Sequence, residues 1–308
     1  MSRTYVLSGA TGMIGRALVA ELLSRGDRVI ALVRPDSKRN LPEAHENLTV
    51  LQCGLSDYAT YTPTVQADVF LHLAWAATTG GGREDTDLQL ANIRYTLDAV
   101  WLAHRFGCSA FLGAGSQAEY GPTDVALSSK TPTDPQSGYG IAKYTAGKLS
   151  RTLCRQLGLR HNWARILSIY GEGDGNGTLI MYLIRTLLAG ETPALTPCEQ
   201  IWDYLYVADA ARALLAIADR GTDGVTYPVG SGTGRPLAEY VQTLRDAVDP
   251  AASVQFGAKA YYPHQPMYLV ADIAELTADT GFVPTTAFAD GIRRVIAWVR
   301  EKEEKHNG

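Results

Sequence analysis

The sequence predicts an α/β fold in which helices cover both faces of a parallel sheet. Short apolar runs alternate with helical patterns through the first half of the chain, and uninterrupted apolar strands are typical of parallel sheets. The first run leads directly into a glycine-rich turn and a helix, which is how a right-handed βαβ crossover begins. We therefore predict a doubly wound sheet of the Rossmann type.

The predicted strands follow one another at short intervals. They span residues 4–8, 29–33, 48–51, 69–74 and 110–114, and a sixth run covers 165–170. A helical pattern over residues 85–106 separates the fourth strand from the fifth. Residues 205–207, a helix around 209–218 and residues 225–229 are expected to return to the main sheet.

Composition and charge exclude several classes of protein. The 308 residues are 46% hydrophobic and 19% charged, as is ordinary for a globular enzyme. A net charge of −4 argues against nucleic-acid and polybasic membrane binders, and no apolar run is long enough to span a bilayer. Because the first residues lead straight into a core strand, we expect no signal peptide and a cytoplasmic location.

Cysteine and histidine usage predicts neither disulfides nor a metal site. Cys53, Cys108, Cys154 and Cys198 are scattered and form no CxxC pair, so free buried thiols are expected. The six histidines show neither HxxH nor HxxxH spacing, so no zinc site is expected.

The glycine-rich turn after the first strand predicts a dinucleotide site. Glycines permit a tight turn and let backbone N–H groups approach a pyrophosphate at the helix N-terminus. Glycines also serve ordinary turns, but the position between the first strand and the first helix favours cofactor binding. The candidate contacts are Gly9, Thr11, Gly12, Met13, Ile14 and Gly15.

The end of the second strand indicates which dinucleotide is bound. An Asp or Glu there would accept hydrogen bonds from the 2′-hydroxyl of NAD. This chain has Arg34 instead, with Lys38 and Arg39 nearby and Asp36 beyond the strand tip. Since a guanidinium suits a 2′-phosphate, we expect NADP with Arg34 as its contact. NAD and a merely solvated basic loop are the alternatives.

Tyr139 and Lys143 are spaced i,i+4 in a predicted helix and so share one helix face. A free phenol, with a pKa of about 10, transfers protons poorly at neutral pH, but a nearby ammonium lowers that pKa. A surface tyrosine beside a solvated lysine is the alternative. Because Ser116 follows the fifth strand, we predict a catalytic site of Ser116, Tyr139 and Lys143.

Several motifs, in order along nearly the whole chain, resemble those of the extended short-chain dehydrogenase/reductase family, of the NAD-dependent epimerase/dehydratase type. They are the glycine turn, His72-Leu73-Ala74, Asn92, residues 115–121, Tyr139 with Lys143, and residues 203–209, 229–232 and 290–291. By this resemblance Ser116 would bind the substrate oxygen, Tyr139 would transfer the proton, and Lys143 would hold the ribose in front of Asn92. The resemblance further implies cofactor contacts at Leu73, Ala74, Asn92 and Ile166, and a homodimer built from two helices of each subunit.

The pattern along the chain, which loosens after residue 170, predicts a division into two parts. Residues 1–171 would form the dinucleotide-binding domain, and residues 203–231 would return to it. Residues 172–202 and 232–308 would form a smaller, interleaved substrate-binding lobe with the C-terminal helices.

Departures from the family's motifs distinguish among its activities. In the family's 4,6-dehydratases an Asp-Glu pair follows the Ser/Thr position, whereas this chain has Gln117 and Ala118, which supply no acid or base. Trp202 and Ser168 replace an Arg and an Asn that are usual in the family. Familiar diphosphate contacts are therefore missing, and Arg235, Lys259 or His264 could substitute, or the substrate could differ.

Trp75 follows the fourth strand, at the edge where ligands bind in open α/β sheets. It could cover a sugar ring beside a glycine-rich loop, or it could be a packing residue. The candidate substrate contacts are Trp75, Thr78, Gln117, Ser168, Trp202 and Arg235.

Together these features predict an NADP-dependent reductase of a keto-sugar, and the segment around Ser116 is similar to that of nucleotide-sugar 4-ketoreductases. The expected substrate is a nucleotide-linked 4-keto-6-deoxyhexose. An NAD-dependent nucleotide-sugar epimerase is the first alternative. A non-catalytic NADP-sensing regulator on the same fold is the second, although a regulator would not need Ser116, Tyr139 and Lys143 together.

Overall fold

The computed structural model describes residues 2–35, 37, 41, 45–175, 177–262 and 265–307. Its strands are β1 (Thr4–Ser8), β2 (Arg28–Val33), β3 (Leu48–Gln52), β4 (Val69–His72), β5 (Ala110–Ser116), β6 (Arg160–Ile166), β7 (Ser168–Tyr170), β8 (Ile201–Trp202), β9 (Tyr204–Tyr206), β10 (Thr226–Val229), β11 (Arg235–Pro236) and β12 (Tyr268–Leu269). Seven of them form one parallel sheet in the order β10-β6-β5-β4-β1-β2-β3. The strand order reverses next to β1, so the doubly wound Rossmann-type sheet is confirmed.

The helices are α1 (Met13–Ser24), α2 (Thr86–Arg105), α3 (Gly138–Leu157), α4 (Leu179–Leu188), α5 (Val207–Arg220), α6 (Leu237–Val248), α7 (Ala274–Thr280) and α8 (Phe288–Asn307). Alternate residues of a strand point to opposite faces of a sheet. Tyr5 and Leu7 accordingly pack in a core with α1 and α5, whereas Val6 and Phe70 pack in a core with α2. Burial on both faces explains why the strands are continuously apolar.

A second group of elements packs beside this sheet. Helices α4, α6 and α8 share a core with Tyr170 and Tyr206, and β11, β8 and β12 form a three-stranded sheet. Helix α7 packs against α5 and against β10 of the main sheet. Its residues lie in the range that the sequence predicts to belong to the lobe. The division into a domain and a lobe stays a prediction.

The expected return of residues 205–207 to the main sheet is wrong. Strand β9 pairs with β7 in a separate two-stranded sheet, and only β10 of that region joins the seven strands. The reason lies in β6, whose two edges are already occupied by β5 and β10. The single run predicted over 165–170 is likewise split at Leu167 into β6 and β7.

Local sequence explains where the two helices that carry the site begin. Helix α2 is capped by the Asp85 side chain, which accepts a hydrogen bond from Leu88 N at 3.0 Å. Helix α3 is capped by Ser137, whose Oγ accepts from Gly140 N at 3.0 Å, and it ends at Gly158 with a φ of 72°. Both are standard ways to satisfy or terminate a helix end.

The four cysteines are free and buried, as the sequence predicts. Within the described ranges, no helix is both long and apolar enough to cross a membrane.

Candidate functional site

A cleft of about 990 Å³ opens at the carboxyl ends of β1, β2 and β4. This edge, beside the point where the strand order reverses, is where ligands bind in doubly wound sheets. The cleft brings together eight of the residues predicted from the sequence, namely Gly9, Thr11, Gly12, Arg34, Leu73, Ala74, Trp75 and Thr78.

The glycine turn is tight and closely packed. Gly9 has a φ of +76°, and a Cβ there would lie 2.9 Å from Ala74 N. A Cβ on Gly15 would lie 2.1 Å from Gly9 O, so Gly15 lets α1 pack closely on the turn. Gly12 caps α1 without a side-chain hydrogen bond, and the first turn of that helix has no acidic residue. The helix N-terminus can therefore accept an anion.

The side chains of Met13 and Ile14 point into the core, so a contact of these two residues with the cofactor, through their backbone N–H groups, stays a prediction. Met13 and Ile14 are half-buried and pack against the core formed by α4, α6 and α8, with Ile14 also contacting the sheet core. Their side chains do not line the cleft as described above. Their contribution is to seat α1.

Arg34 directly follows β2 and lines the cleft together with Ser37 and Asp57. Its carbonyl accepts a hydrogen bond from Ser37 N at 3.0 Å, which closes the turn after the strand. Arg34 is thus placed at the strand tip, where a ribose would be read. Asp36, Lys38 and Arg39 lie outside the described residues.

Tyr139 stands in the first turn of α3 and is 7% exposed. Burial raises the pKa of its phenol, whereas the side-chain hydrogen bond with Ser116 and the charge of Arg83 lower it. Ser116 ends β5, and its Oγ accepts from Ala118 N at 3.2 Å. The structure therefore brings the predicted Ser116 and Tyr139 together.

Lys143 lies one turn further along α3 and is 3% exposed. Its Nζ donates to Ala114 O at 2.6 Å and lies 3.7 Å from the centroid of the Trp75 ring. Burial lowers the pKa of this ammonium from 10.5 to about 7, and the charge of Glu119 opposes the shift. The centroid of the Tyr139 ring is 5.8 Å from the same Nζ.

Trp75 is held in place from α2. Its Nε1 donates to Gln89 Oε1 at 3.0 Å, and its ring meets the Tyr139 ring edge-on at a centroid distance of 6.0 Å. Asn92, one helical turn after Gln89, accepts from Ala76 N and donates to Ala76 O, both at 2.9 Å. The two buried amides therefore fix the chain that follows β4.

Glu119 is a buried carboxylate at the floor of the site. It is 1% exposed and accepts hydrogen bonds from Ser116 N, Trp163 Nε1 and Arg165 Nε at 2.8, 2.9 and 2.7 Å. Arg165 is itself 5% exposed, so the ion pair is fully desolvated. Through this carboxylate, β6 fixes the backbone of Ser116.

Three glycines surround the Trp163 ring. A Cβ on Gly113, Gly115 or Gly147 would come within 2.1, 2.3 or 2.8 Å of an atom of that ring. Gly113 and Gly115 belong to β5 and Gly147 to α3. Trp163 therefore occupies space between the sheet and the helix that carries Tyr139.

Residues predicted to contact substrate form a second group beyond β6. The Nε1 of Trp202 donates to Ser168 Oγ at 2.8 Å, and Trp202 pairs with the exposed Arg235 across β8 and β11. Ile166, which was predicted as a cofactor contact, ends β6 opposite Ser116 in the register and packs partly buried against the sheet core. Lys259 lies over the Tyr182 ring, and His264 lies outside the described residues.

Sequence reasoning missed three residues of this site, namely Arg83, Gln89 and Glu119. Gln89 shares a helix face with Asn92 at i,i+3, and this spacing could have indicated a paired role. Glu119 lies inside the segment that resembles the family, yet its side-chain partners Trp163 and Arg165 are more than 40 residues away in sequence. Among the described residues no group of three His, Cys, Asp or Glu could hold a metal ion.

Comparison with known proteins identifies the family of this chain. A sequence model of the NAD dependent epimerase/dehydratase family matches residues 5–230. The dTDP-4-dehydro-6-deoxyglucose reductase of Escherichia coli is 22% identical over 316 residues, which cover 96% of this chain and 98% of that protein. The dTDP-glucose 4,6-dehydratase of Escherichia coli is 25% identical over 344 residues, covering 97% and 94%.

Solved structures share the fold. RMD from Pseudomonas aeruginosa, complexed with NADPH, has a TM-score of 0.80 at 19% identity and covers 98% of this chain and 100% of its own. DesIV, a dTDP-glucose 4,6-dehydratase from Streptomyces venezuelae with NAD bound, has a TM-score of 0.85 at 22% identity and covers 98% of both chains. The family model matches well over half of this chain, and the chain therefore belongs to the NAD dependent epimerase/dehydratase family.

Proposed function

We propose that this chain is an NADP-dependent reductase of a keto-sugar, and that the substrate is a nucleotide-linked 4-keto-6-deoxyhexose. The observation that carries the proposal is the cluster of Ser116, Tyr139 and Lys143 beside a cleft that Arg34 and the glycine turn line. The buried phenol of Tyr139 lies next to the Ser116 hydroxyl and the side chains of Lys143 and Arg83. A phenol in such surroundings is suited to giving a proton to an oxygen.

The residues present fit a dinucleotide. Gly9 and Gly12 leave the N-terminus of α1 open to a pyrophosphate, and Arg34 stands where a 2′-phosphate would lie. When bound, the reduced nicotinamide supplies the hydride. Lys143 would bind the ribose hydroxyls. To do so, its Nζ has to break the hydrogen bond to Ala114 O or keep it while donating to the ribose as well.

Tyr139 and Ser116 would act on the carbonyl oxygen of the sugar. The Ser116 hydroxyl would donate to that oxygen as negative charge develops on it, and the phenol of Tyr139 would protonate it. The phenol, whose pKa burial raises above its ordinary value of about 10, is protonated at neutral pH. Reduction needs this form of Tyr139, so the resting state is the active one.

Dehydration is disfavoured by the residues that follow Ser116. Gln117 and Ala118 cannot transfer protons, and the next residue, Glu119, is committed to Trp163 and Arg165. A carboxylate that is 1% exposed and ion-paired cannot serve as an acid for water elimination. The site therefore supports hydride and proton transfer without elimination.

Trp202, Ser168 and Arg235 are our proposed contacts for the nucleotide diphosphate end of the substrate. The hydrogen bond between Trp202 and Ser168 presents an indole and a hydroxyl at the end of β6, and the exposed Arg235 lies in the neighbouring strand. Trp75 and Thr78 would contact the sugar from the loop after β4, and Gln117 would do so from the turn after Ser116.

The proposal is tested by incubating the protein with NADPH or NADH and a panel of nucleotide-linked 4-keto-6-deoxyhexoses. We expect stoichiometric consumption of NADPH and a product heavier by two hydrogens in the mass spectrum. A nucleotide-linked hexose with oxidised cofactor should lose no water. Loss of water would assign the chain to the dehydratases and refute the proposal.

An epimerase is the second candidate, because the same Ser-Tyr-Lys cluster could move the proton while a retained NAD takes the hydride from one carbon and returns it to the other face. Its signature is an unchanged product mass with a changed NMR coupling pattern, together with NAD that stays bound through purification. A regulator that only senses NADP would bind the cofactor and leave every sugar in the panel unchanged.

We also propose that the chain forms a cytoplasmic homodimer through α2 and α3. These helices pack side by side and expose Leu90, Trp101, Ile141 and Leu149 with exposed fractions of 65%, 42%, 51% and 44%. Four free buried thiols fit a reducing compartment. Leu149→Glu should yield a monomer in sedimentation, and Val283→Glu, at an exposed site outside these helices, should not. A monomeric wild type would refute the dimer.

A further inference from the structure

We infer that Arg83 is a positioning residue for the proton donor Tyr139, and that its guanidinium is a second cation, besides Lys143, that places positive charge beside this phenol. The inference rests on the proposed role of Tyr139 in proton transfer. It concerns a residue of the loop after β4 that neither the motifs nor their spacing indicated.

The contact between the two side chains is direct. The Cζ of Arg83 lies 4.2 Å from the centroid of the Tyr139 ring, within the range of a cation–π interaction. One guanidinium nitrogen of Arg83, Nη1, donates to Thr78 O at 3.2 Å, so the group is held across its own loop. Tyr139 is buried, which strengthens the effect of a nearby charge.

The loop that carries Arg83 is tied to both helices of the site. Gln89 of α2 donates through Nε2 to Gly82 O at 2.8 Å. Glu84 accepts from Gly138 N, the first residue of α3, at 3.0 Å. A Cβ on Gly138 would lie 3.0 Å from Arg83 O, so the backbones meet closely. These contacts set Arg83 over the residue that follows Gly138, which is Tyr139.

Lys143 lies farther from the Tyr139 ring than Arg83 does. Its Nζ is 5.8 Å from the ring centroid and is directed to Ala114 O and to the Trp75 ring. Burial lowers the pKa of this ammonium to about 7, whereas a guanidinium stays charged over the whole working range. Arg83 therefore adds a second positive charge beside the phenol, nearer to its ring than that of Lys143.

The other groups that face Tyr139 are accounted for. Ser116, from the end of β5, lowers the pKa of the phenol through a hydrogen bond, and Glu119, from the turn after it, raises that pKa through its charge. The charge of Arg83, from the loop after β4, lowers it. Glu84, which belongs to the same loop, is engaged by the backbone of Gly138.

The test compares Arg83→Gln, which removes the charge, with Arg83→Lys, which keeps it. For a proton donor the rate of reduction falls as the pH rises past the apparent pKa. Removing a nearby cation should move this fall upward by roughly one pH unit and should lower kcat more than it raises KM. Arg83→Lys should restore most of the wild-type profile. Arg94→Gln, which removes an exposed arginine from α2, is the control. It should change neither the pH at which the rate falls nor the ratio of kcat to KM.

A readout without turnover separates this inference from the proposed reaction. The tyrosinate absorbance of Tyr139 is obtained by subtracting the pH titration of Tyr139→Phe from that of the wild type. The same subtraction is made between Arg83→Gln and the double variant that also carries Tyr139→Phe. With Arg83 replaced, the tyrosinate absorbance of Tyr139 should appear at higher pH. An unchanged onset would overturn the inference, whatever substrate the chain reduces. So would an Arg83→Lys profile shifted as far as that of Arg83→Gln.

Discussion

Lys143 should make the stability of the protein depend on pH in a direction opposite to that of an ordinary surface lysine. The side chain is 3% exposed, and burial lowers its pKa from 10.5 to about 7. In the unfolded chain the ordinary value is restored. Between these two values the unfolded state holds a proton that the folded state has released, so stability rises with pH through this window. At lower pH both states are protonated, and the full cost of burying the charge is present.

The size of the effect follows from the shift. One pKa unit corresponds to about 1.4 kcal/mol. Integrated from about pH 7 to about pH 9, the lysine alone should add about 2 kcal/mol to the free energy of unfolding. Lys143→Met removes this contribution, because a thioether does not titrate. It also removes the hydrogen bond to Ala114 O, a constant loss of about 1 kcal/mol that leaves the slope unchanged.

The measurement is urea unfolding without cofactor at several pH values across this range. The wild type, Lys143→Met and Lys148→Met are compared; Lys148 lies in the same helix and is exposed. The four buried thiols also titrate, but they do so in all three proteins and cancel in the comparison. From about pH 7 to about pH 9 we expect the free energy of unfolding of Lys143→Met to fall behind that of the wild type by about 2 kcal/mol, and that of Lys148→Met to keep a constant difference from it. Parallel slopes for Lys143→Met and the wild type would show that this ammonium is not desolvated.

Three further predictions concern the cofactor, the chemistry and the floor of the site. Tyr139→Phe should lower turnover by roughly two to four orders of magnitude while the cofactor dissociation constant barely changes; near-normal turnover would remove Tyr139 from the mechanism. Arg34→Ala should reduce the preference for NADPH over NADH by about 1.5–3 kcal/mol, whereas Arg28→Ala at the far end of β2 should not; equal wild-type affinities for both cofactors would contradict the strand-tip argument. Glu119→Gln should cost about 3–5 kcal/mol of stability in denaturant, because Arg165 would stay buried without its carboxylate. Adding Arg165→Met should recover part of that loss, and strict additivity of the two substitutions would mean that the pair does not interact.

The parts of the fold that local sequence determines were predictable. Strand β1, the glycine turn and α1 follow one another within the first 24 residues. The strand and the helix are each specified by an apolar pattern, and the glycines mark the turn between them. The partner of β9 was not predictable in this way. Its three residues are as apolar as a main-sheet strand, but which edge it joins depends on β5 and β10 already flanking β6.

In the candidate site, too, the contacts within one helix could be predicted from the sequence, and the contacts between distant segments could not. Tyr139 and Lys143 could be placed together because one helix face carries both. Asn92 was expected behind Lys143, yet its amide holds both backbone groups of Ala76, a contact that depends on the path of the loop after β4. Arg83 reaches Tyr139 across 56 positions of sequence, and only the tertiary structure shows this approach.

The packing of Trp163 ties the integrity of the fold to that of the site. Its ring fills the gap between β5 and α3, and its Nε1 is bound by the carboxylate that also holds Ser116 N. Ser116 and the helix of Tyr139 thus share one cooperative unit, in the sense used for hydrogen exchange. Heat should abolish catalysis and tertiary structure in a single transition, with no folded but inactive species in between.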